Sequence, residues 1–226
     1  MTLVARSLRF WITGGGTREP LDAVRWIGNI STGRMAAQLA RAAAARGHRV
    51  TLFLAEHATA PRSSRIRIVR FVTTAELAAA LNLARPSPDA IVHAAAVSDY
   101  APIPRQGKQR SGAARWRVDL KPVKKIAPVL RRRHPRAVLC LFKLESRIAL
   151  AELLARAVGA ARGARADWVF ANLLEHVGRE HRGWLVDPVD GMASAIVGRS
   201  AAARRIVRAC EDRVAMRTVA HRRSGR

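Results

Sequence analysis

Short apolar runs separated by helical patterns constrain this chain more than any other feature. Arg9 to Thr13 (RFWIT) has the composition of a buried strand and runs into three glycines, which demand a tight turn. From Gly33 to Arg46, alanine and leucine recur at helical spacing, and Gly47 stands where a C-terminal cap belongs. Arg49 to Ala55 and Arg65 to Phe71 read as the next strands. Thr73 and Glu76 form a capping box that opens a helix through about Arg85. The stretch 89–97 (DAIVHAAAV) stays apolar on both faces, as parallel strands covered by helices do. This alternation predicts an α/β fold with a doubly wound, mostly parallel sheet and helices on both faces.

The middle of the chain breaks the pattern. Residues 100–114 are rich in Pro, Gly and polar side chains and read as an exposed, mobile loop. Arg115 to Lys121 alternates like a strand, the return arm of a hairpin, so a hairpin or loop insertion is expected around 100–121. Val123 to His134 reads as a helix with Pro122 at its first position, although Pro128 inside it is left unaccounted for. Alternation resumes with a strand at 137–142, a helix capped by Ser146, strands at 167–172 and 183–187, and a last helix over roughly 199–216. One domain over 1–216 is expected, followed by a basic, disordered tail over 217–226.

Composition enters through charge. Lysine and arginine number 41 against 16 acids, a net charge of +25. That balance first suggests nucleic acid. The basic residues are spread along the chain, however, and aromatics are scarce, which argues against nucleic acid as a partner. Arginine dominates, and all five lysines (Lys108, Lys121, Lys124, Lys125, Lys143) fall between 108 and 143. A guanidinium meets phosphate as a fork and an ammonium as a compact point charge, so this cluster points to chemistry. Cys140 and Cys210 show no disulfide or metal spacing, which suggests a reducing cytoplasm. No apolar run is long enough to span a bilayer.

In a doubly wound sheet, ligands bind outside the carboxyl ends of the strands. The segments ITGGGTREP (12–20), HAAAVSDY (93–100), FKLES (142–146) and VFANLLE (169–175) all end strands, so they converge on one crevice. In the glycine turn, Gly15 and Gly16 let backbone amides approach an anion, yet the turn fits neither the dinucleotide fingerprint nor a Walker A loop. Ser31 and Thr32 read as ordinary helix capping beside Gly33, which leaves Asn29 as an amide able to donate to a carboxylate. Asp99 suits Mg²⁺ or ribose hydroxyls, or an Asx turn. Lys108 is either a solvated loop lysine or a phosphate-closing one. Phe142 reads as a base-stacking ring or as core. His93 and Cys140 read as core residues.

Together these segments resemble the phosphopantothenate–cysteine ligase (phosphopantothenoylcysteine synthetase) family, from about residue 9 to 187. The resemblance is carried by ITGGGTREP, by Asn29 to Gly33, by Ala94 to Asp99, by Lys108 in GKQRSG, and by PVKKIAPVL, FKLES and VFANLLE. The later pieces look closer to stand-alone eukaryotic-type ligases than to fused bacterial ones, whose flavin-dependent decarboxylase domain is not expected here. The resemblance implies a Rossmann-like, cytoplasmic, homodimeric ligase. It would join 4′-phosphopantothenate to cysteine with CTP or ATP and Mg²⁺, through an acyl-nucleotide, in coenzyme A biosynthesis. It further implies catalytic roles for Asn29 and Lys108. The implied nucleotide-binding residues are Gly15, Gly16, Ser31, Gly33, Ala94, Ala95, Asp99, Lys125, Ile126, Phe142, Arg156 and Asn172, with Asp99 also at the metal. Ala36 stands where the family has glycine, which would crowd the helix start near phosphate. The basic stretch after Lys108 is thinned to Gln109, Arg110 and Ser111.

Two rivals are weaker. A short-chain-type NAD(P)-dependent oxidoreductase would share the HAAAV strand, but it needs the glycine fingerprint and a lysine four residues after Tyr100, where Pro104 stands. A nucleic-acid-binding protein would interleave aromatics with a basic face.

Overall fold

Eight strands form one sheet in the order β12-β11-β10-β9-β6-β1-β4-β5 in the computed structural model, which describes residues 7–112, 114–178 and 180–224. They are β1 (Arg9–Gly14), β4 (Arg49–Ala55), β5 (Ile66–Phe71), β6 (Ala90–His93), β9 (Val138–Glu145), β10 (Trp168–Leu173), β11 (Arg182–Val186) and β12 (Ala193–Val197). The six strands from β10 to β5 are parallel, and β11 and β12 append antiparallel at one edge. Taken in chain order, the parallel strands lie 3-2-1-4-5-6, so the winding reverses between β1 and β6. Two small two-stranded sheets stand outside it: β2 (Arg18–Pro20) with β3 (Trp26–Gly28), and β7 (Tyr100–Pro102) with β8 (Leu120–Pro122).

Helices cover both faces. The face carrying Phe10, Ile12, Leu52, Leu54, Val92, Cys140 and Phe170 packs against α1 (Arg34–Ala45) and α5 (Arg199–Ser224). The opposite face, with Trp11, Phe53, Ile91, Leu139 and Val169, packs against α2 (Thr74–Leu83), α3 (Ile126–Arg133) and α4 (Leu150–Gly163). Alanines on α1 let it lie close to the sheet: a Cβ on Gly14 would come within 2.0 Å of the Ala36 Cβ. Ala36 is thus directed at the end of β1, where a glycine makes room for it.

Several expectations need correction. The N-cap of α1 is Gly33, in a left-handed conformation (φ 71°) with no side-chain cap, so Ser31 and Thr32 do not cap it. The strand expected over 89–97 ends at His93, because Ala96 leaves the ladder to bridge Gly16. The hairpin around 100–121 exists, but only Leu120–Pro122 forms its return arm, and Tyr100–Pro102, expected as loop, is the other arm. Helix α3 begins at Ile126, which puts Pro128 in the first turn, where its missing N–H is no loss. Ser146 does not cap α4. That helix starts at Leu150, and the Ser146 hydroxyl donates to Glu175 at 2.8 Å instead. Helix α5 continues through Ser224, so the expected tail is helical to that point, and 225–226 lie outside the described residues. The capping box is found as read: Glu76 N donates to Thr73 Oγ1 at 3.1 Å, and the Glu76 carboxylate accepts Val72 N at 2.7 Å. Among the described residues no helix is long and apolar enough to cross a membrane.

Candidate functional site

The reversal between β1 and β6 places the glycine turn beside the residues that follow His93. Gly15 takes φ 87°, and a Cβ there would lie 2.4 Å from the Ala55 Cβ, so only glycine fits. A Cβ on Gly16 would lie 2.1 Å from the Asn29 carbonyl oxygen. The turn is laced to the β6 extension by backbone bonds: Ala94 N to Thr13 O at 3.2 Å, Ala96 N to Gly15 O at 2.9 Å, and Thr17 N to Ala96 O at 3.1 Å. Asn29, exposed, donates Nδ2 to Ala96 O at 3.1 Å and so spans the crevice floor. Gly33 sits where its own Cβ would lie 3.5 Å from Gly15 N, which brings the start of α1 against the turn. Ser31 is held there through its carbonyl, 3.0 Å from His57 Nε2.

Buried polar side chains fix this floor from below, and sequence reading missed most of them. Thr13 Oγ1 accepts Ala95 N at 3.1 Å and shares a hydrogen bond with His93 Nδ1 at 2.8 Å. Burial pushes His93 down to about 4, so the ring is neutral, the core histidine expected. Burial likewise pushes the Cys140 thiol up, as a core thiol requires. Thr17 Oγ1 accepts Ser98 N at 3.0 Å, while the buried Glu19 carboxylate accepts Thr74 N at 3.0 Å and the Thr74 hydroxyl at 2.7 Å. The signal was available in TGGGTRE, where polar side chains follow a buried strand without leaving the interior.

Asp99 is exposed, and its carboxylate receives the Lys125 ammonium. Its backbone carbonyl accepts Val123 N at 2.8 Å, which ties the β7–β8 hairpin to the start of α3. Lys125 is the N-cap residue of α3 and Ile126 begins it, with the Ile126 side chain buried in the core. Phe142 lies one residue beyond the His93–Leu141 register, on the α1/α5 face, and its ring centroid is 5.2 Å from that of Phe170. Asn172 is buried two residues past Phe170 on β10. Arg156 does not join this group as a free cation: its guanidinium holds Glu145 at 3.0 Å and Glu152 at 2.6 Å. A hydrogen bond from Lys143 chiefly, and one from Arg156, hold Glu145 below the usual carboxylate range.

Lys108 is exposed on the segment between β7 and β8. Expected to be mobile, that segment is fastened to the β2–β3 hairpin by several bonds, among them Ala23 N to Gly107 O at 3.1 Å and Arg105 N to Leu21 O at 3.0 Å. Among the described residues, no three of His, Cys, Asp or Glu gather as a metal cage. Magnesium is commonly held by one or two carboxylates plus substrate phosphates, and the exposed Asp99 fits that mode once Lys125 yields it.

Known proteins agree with this architecture. The bifunctional coenzyme A biosynthesis protein CoaBC of Mycobacterium bovis is 42% identical over 91 residues, 40% of this chain and 22% of its own length. The CoaBC of Thermococcus kodakarensis is 31% identical over 174 residues, 76% of this chain and 43% of its own length. The chain therefore spans less than half the length of these curated relatives. Among solved structures, the DNA/pantothenate metabolism flavoprotein from Streptococcus pneumoniae superimposes with a TM-score of 0.83 at 23% identity, covering 89% of this chain and 97% of that one. A Cab2 variant in complex with phosphopantothenate-cysteine gives 0.76 at 21%, covering 96% and 89%. A family model then matches residues 5–211, nearly the whole chain with its glycine turn, Asn29 and the Lys108 segment, and the chain belongs to the DNA/pantothenate metabolism flavoprotein C-terminal domain family.

Proposed function

We propose that this chain joins 4′-phosphopantothenate to cysteine at the expense of CTP or ATP. The observation that carries the reading is Asn29 clamped onto the Ala96 carbonyl across the β1/β6 reversal, against a glycine turn that no side chain can enter. The substrate carboxylate attacks the α-phosphorus, an acyl-nucleotide forms and pyrophosphate leaves. The cysteine amine then attacks the acyl carbon, a C–N bond forms, the nucleoside monophosphate leaves and the nitrogen gives up a proton.

Each residue has a role in that chemistry. Lys108 offsets charge on the triphosphate, and Asn29 donates to the substrate carboxyl and steadies the acyl-nucleotide. Amides of the Gly15–Gly16 turn and the start of α1 at Gly33, beside Ser31, receive phosphate. Ala94 and Ala95 pack on the nucleotide, Asp99 meets the ribose, and Lys125, Ile126 and Phe142 frame the base near Asn172. Arg156 orders Glu145 at the rim. Magnesium, held by Asp99 and the phosphates, supplies charge neutralisation. The free, buried thiols Cys140 and Cys210 suit a cytoplasmic enzyme. A homodimer is supported by the exposed Val24, Trp26, Ile30 and Ile103 on and beside the two small sheets, which a second copy would cover.

Purified protein with 4′-phosphopantothenate, cysteine, Mg²⁺ and either CTP or ATP should release pyrophosphate only when phosphopantothenate is present. Lys108→Ala should lower that rate by about a hundredfold. Folded protein that releases none with either nucleotide refutes the reading.

A further inference from the structure

The turn of the β2–β3 hairpin holds a carboxylate that the reaction above does not use. The side chain of Asp22 is fully buried. Its Oδ1 accepts Val24 N and Arg25 N, both at 2.9 Å. Its Oδ2 accepts Arg25 Nε at 3.0 Å, Arg25 Nη2 at 2.5 Å and the backbone N of Gln109 at 3.1 Å. The Arg25 guanidinium, followed by the backbone N–H of Val24, holds this carboxyl far below the usual range, so it stays ionised throughout the working pH of any enzyme. Arg25 in turn donates to Gln109 O at 2.9 Å and lies 4.3 Å from the centroid of the Trp116 ring. Ala23 N donates to Gly107 O.

Gly107 and Gln109 flank Lys108. The peptides on both sides of that lysine are therefore bonded to one five-residue turn, and Trp116, farther along the same segment, rests on the same guanidinium. The other end of the hairpin is equally placed. Its first strand follows the glycine turn directly, and its second strand, ending at Gly28, leads straight into Asn29. Asn29 and Lys108 are thus carried by one unit.

We propose that Asp22 is a positioning residue, which through Arg25 and Gln109 N sets Lys108 at a fixed reach from Asn29. This rests on the catalytic role given to Lys108 above. The hairpin is the arm, and the ionised carboxylate is the fastener. Only a carboxylate can accept from the guanidinium and three backbone N–H groups together. An asparagine keeps the shape but has one acceptor oxygen where Asp22 uses two.

The test measures both placement and chemistry. Asp22→Asn should lower kcat for pyrophosphate release by about tenfold to a hundredfold, with KM for the nucleotide nearly unchanged, since a misplaced group is lost mainly to the transition state. In a Lys108→Ala background the same substitution should change the rate by less than about twofold, because the two act as one unit. Asp22→Glu should recover part of the loss. Independently of activity, trypsin should cut the Asp22→Asn protein after Lys108 or Arg110 at least about tenfold faster than wild type, because local opening sets proteolysis. Should Asp22→Asn fail to fold, Arg25→Gln, which removes the guanidinium from the same carboxylate, carries the comparison.

Multiplicative losses in the double variant, or unchanged cleavage in a well-folded Asp22→Asn protein with Lys108→Ala impaired, overturn the clamp alone. Wild-type rates for Lys108→Ala overturn the reading of Lys108, and with it the reason for the clamp, whatever the cleavage pattern.

Discussion

His93 allows a quantitative check of the crevice floor through pH alone. Its ring is desolvated at the end of β6, and its Nδ1 shares a hydrogen bond with the Thr13 hydroxyl, which also accepts Ala95 N. Protonation would put charge in a dry place. Folding accordingly favours the neutral ring, with a pKa of about 4 against 6.5 when solvated. A base whose folded pKa is depressed binds its proton more readily when unfolded. Its contribution is thus complete above pH 6.5 and is lost as pH falls toward 4. The full gap is worth about 3 kcal/mol, and between pH 7.5 and 5 roughly 2 kcal/mol of it disappears. His134 and His181 are also lowered by burial and titrate in the same sense, so the wild-type slope alone is not diagnostic. His93→Gln isolates the contribution. Urea denaturation at pH 7.5 and pH 5 should show the variant losing about 2 kcal/mol less than wild type over that interval, whatever its stability at pH 7.5. Equal losses in the two proteins would mean that the ring is solvated and that the floor is looser than its hydrogen bonds require.

Three other substitutions test separate parts of the design. Gly16→Ala drives a Cβ to 2.1 Å from a backbone oxygen, so it should cost about 1–3 kcal/mol in denaturation and suppress pyrophosphate release, with Asn29 displaced. Asp167→Ala removes a buried partner of Arg131, 2.7 Å away, and of Arg217, and should cost about 3–5 kcal/mol, read from the urea midpoint. Glu211, with burial opposed by hydrogen bonds from Arg46 and His48 that prevail, lies below its usual range. The stability it gives is complete above about pH 4.5 and lost as pH falls through its folded value, so Glu211→Gln should flatten the acid limb of a stability profile below pH 5.

How much of this was legible depended on the range of the interaction. The inner strands of the parallel order were readable because burial on both faces leaves an apolar run, and Thr73 with Glu76 was readable because a capping box closes within four residues. The expected capping by Ser146 failed because its hydroxyl finds Glu175, 29 residues away, an acceptor that no local pattern contains. Ser31 and Thr32 had the right chemistry one or two residues too early, since the close approach of α1 to Gly15 requires a left-handed residue at 33 and only glycine takes it cheaply. Arg115 to Asp119 alternates as a strand would but has no partner strand, so period alone misled. At the site, the strand-end glycines, Asn29 and Asp99 were visible as small or polar residues after apolar runs. Arg156 was placed at the nucleotide by the resemblance alone, and its pairs with Glu145 and Glu152 are contacts that no local pattern announces.

The same reasoning explains why the acids say more about this chain than its basic excess. With 41 basic residues against 16 acids, a surface carboxylate readily finds a basic partner, as Glu152 and Glu180 do, and an exposed pair of that kind stabilises little. Three buried carboxylates do something arginine cannot. Glu19 accepts Thr74 N, Asp22 accepts Gln109 N and Asp167 accepts Leu139 N, each from a segment 28 to 87 residues away. A guanidinium has no acceptor, so a buried backbone N–H at a joint between distant segments needs an oxygen. Two of the three joints, at Glu19 and Asp22, lie on the hairpin between Gly16 and Asn29. They fasten it on one side to the start of α2 and on the other to the Lys108 segment. Losing any one of these oxygens orphans a backbone amide and frees an element. The arm of the site is therefore held by a few carboxylates rather than by the basic excess.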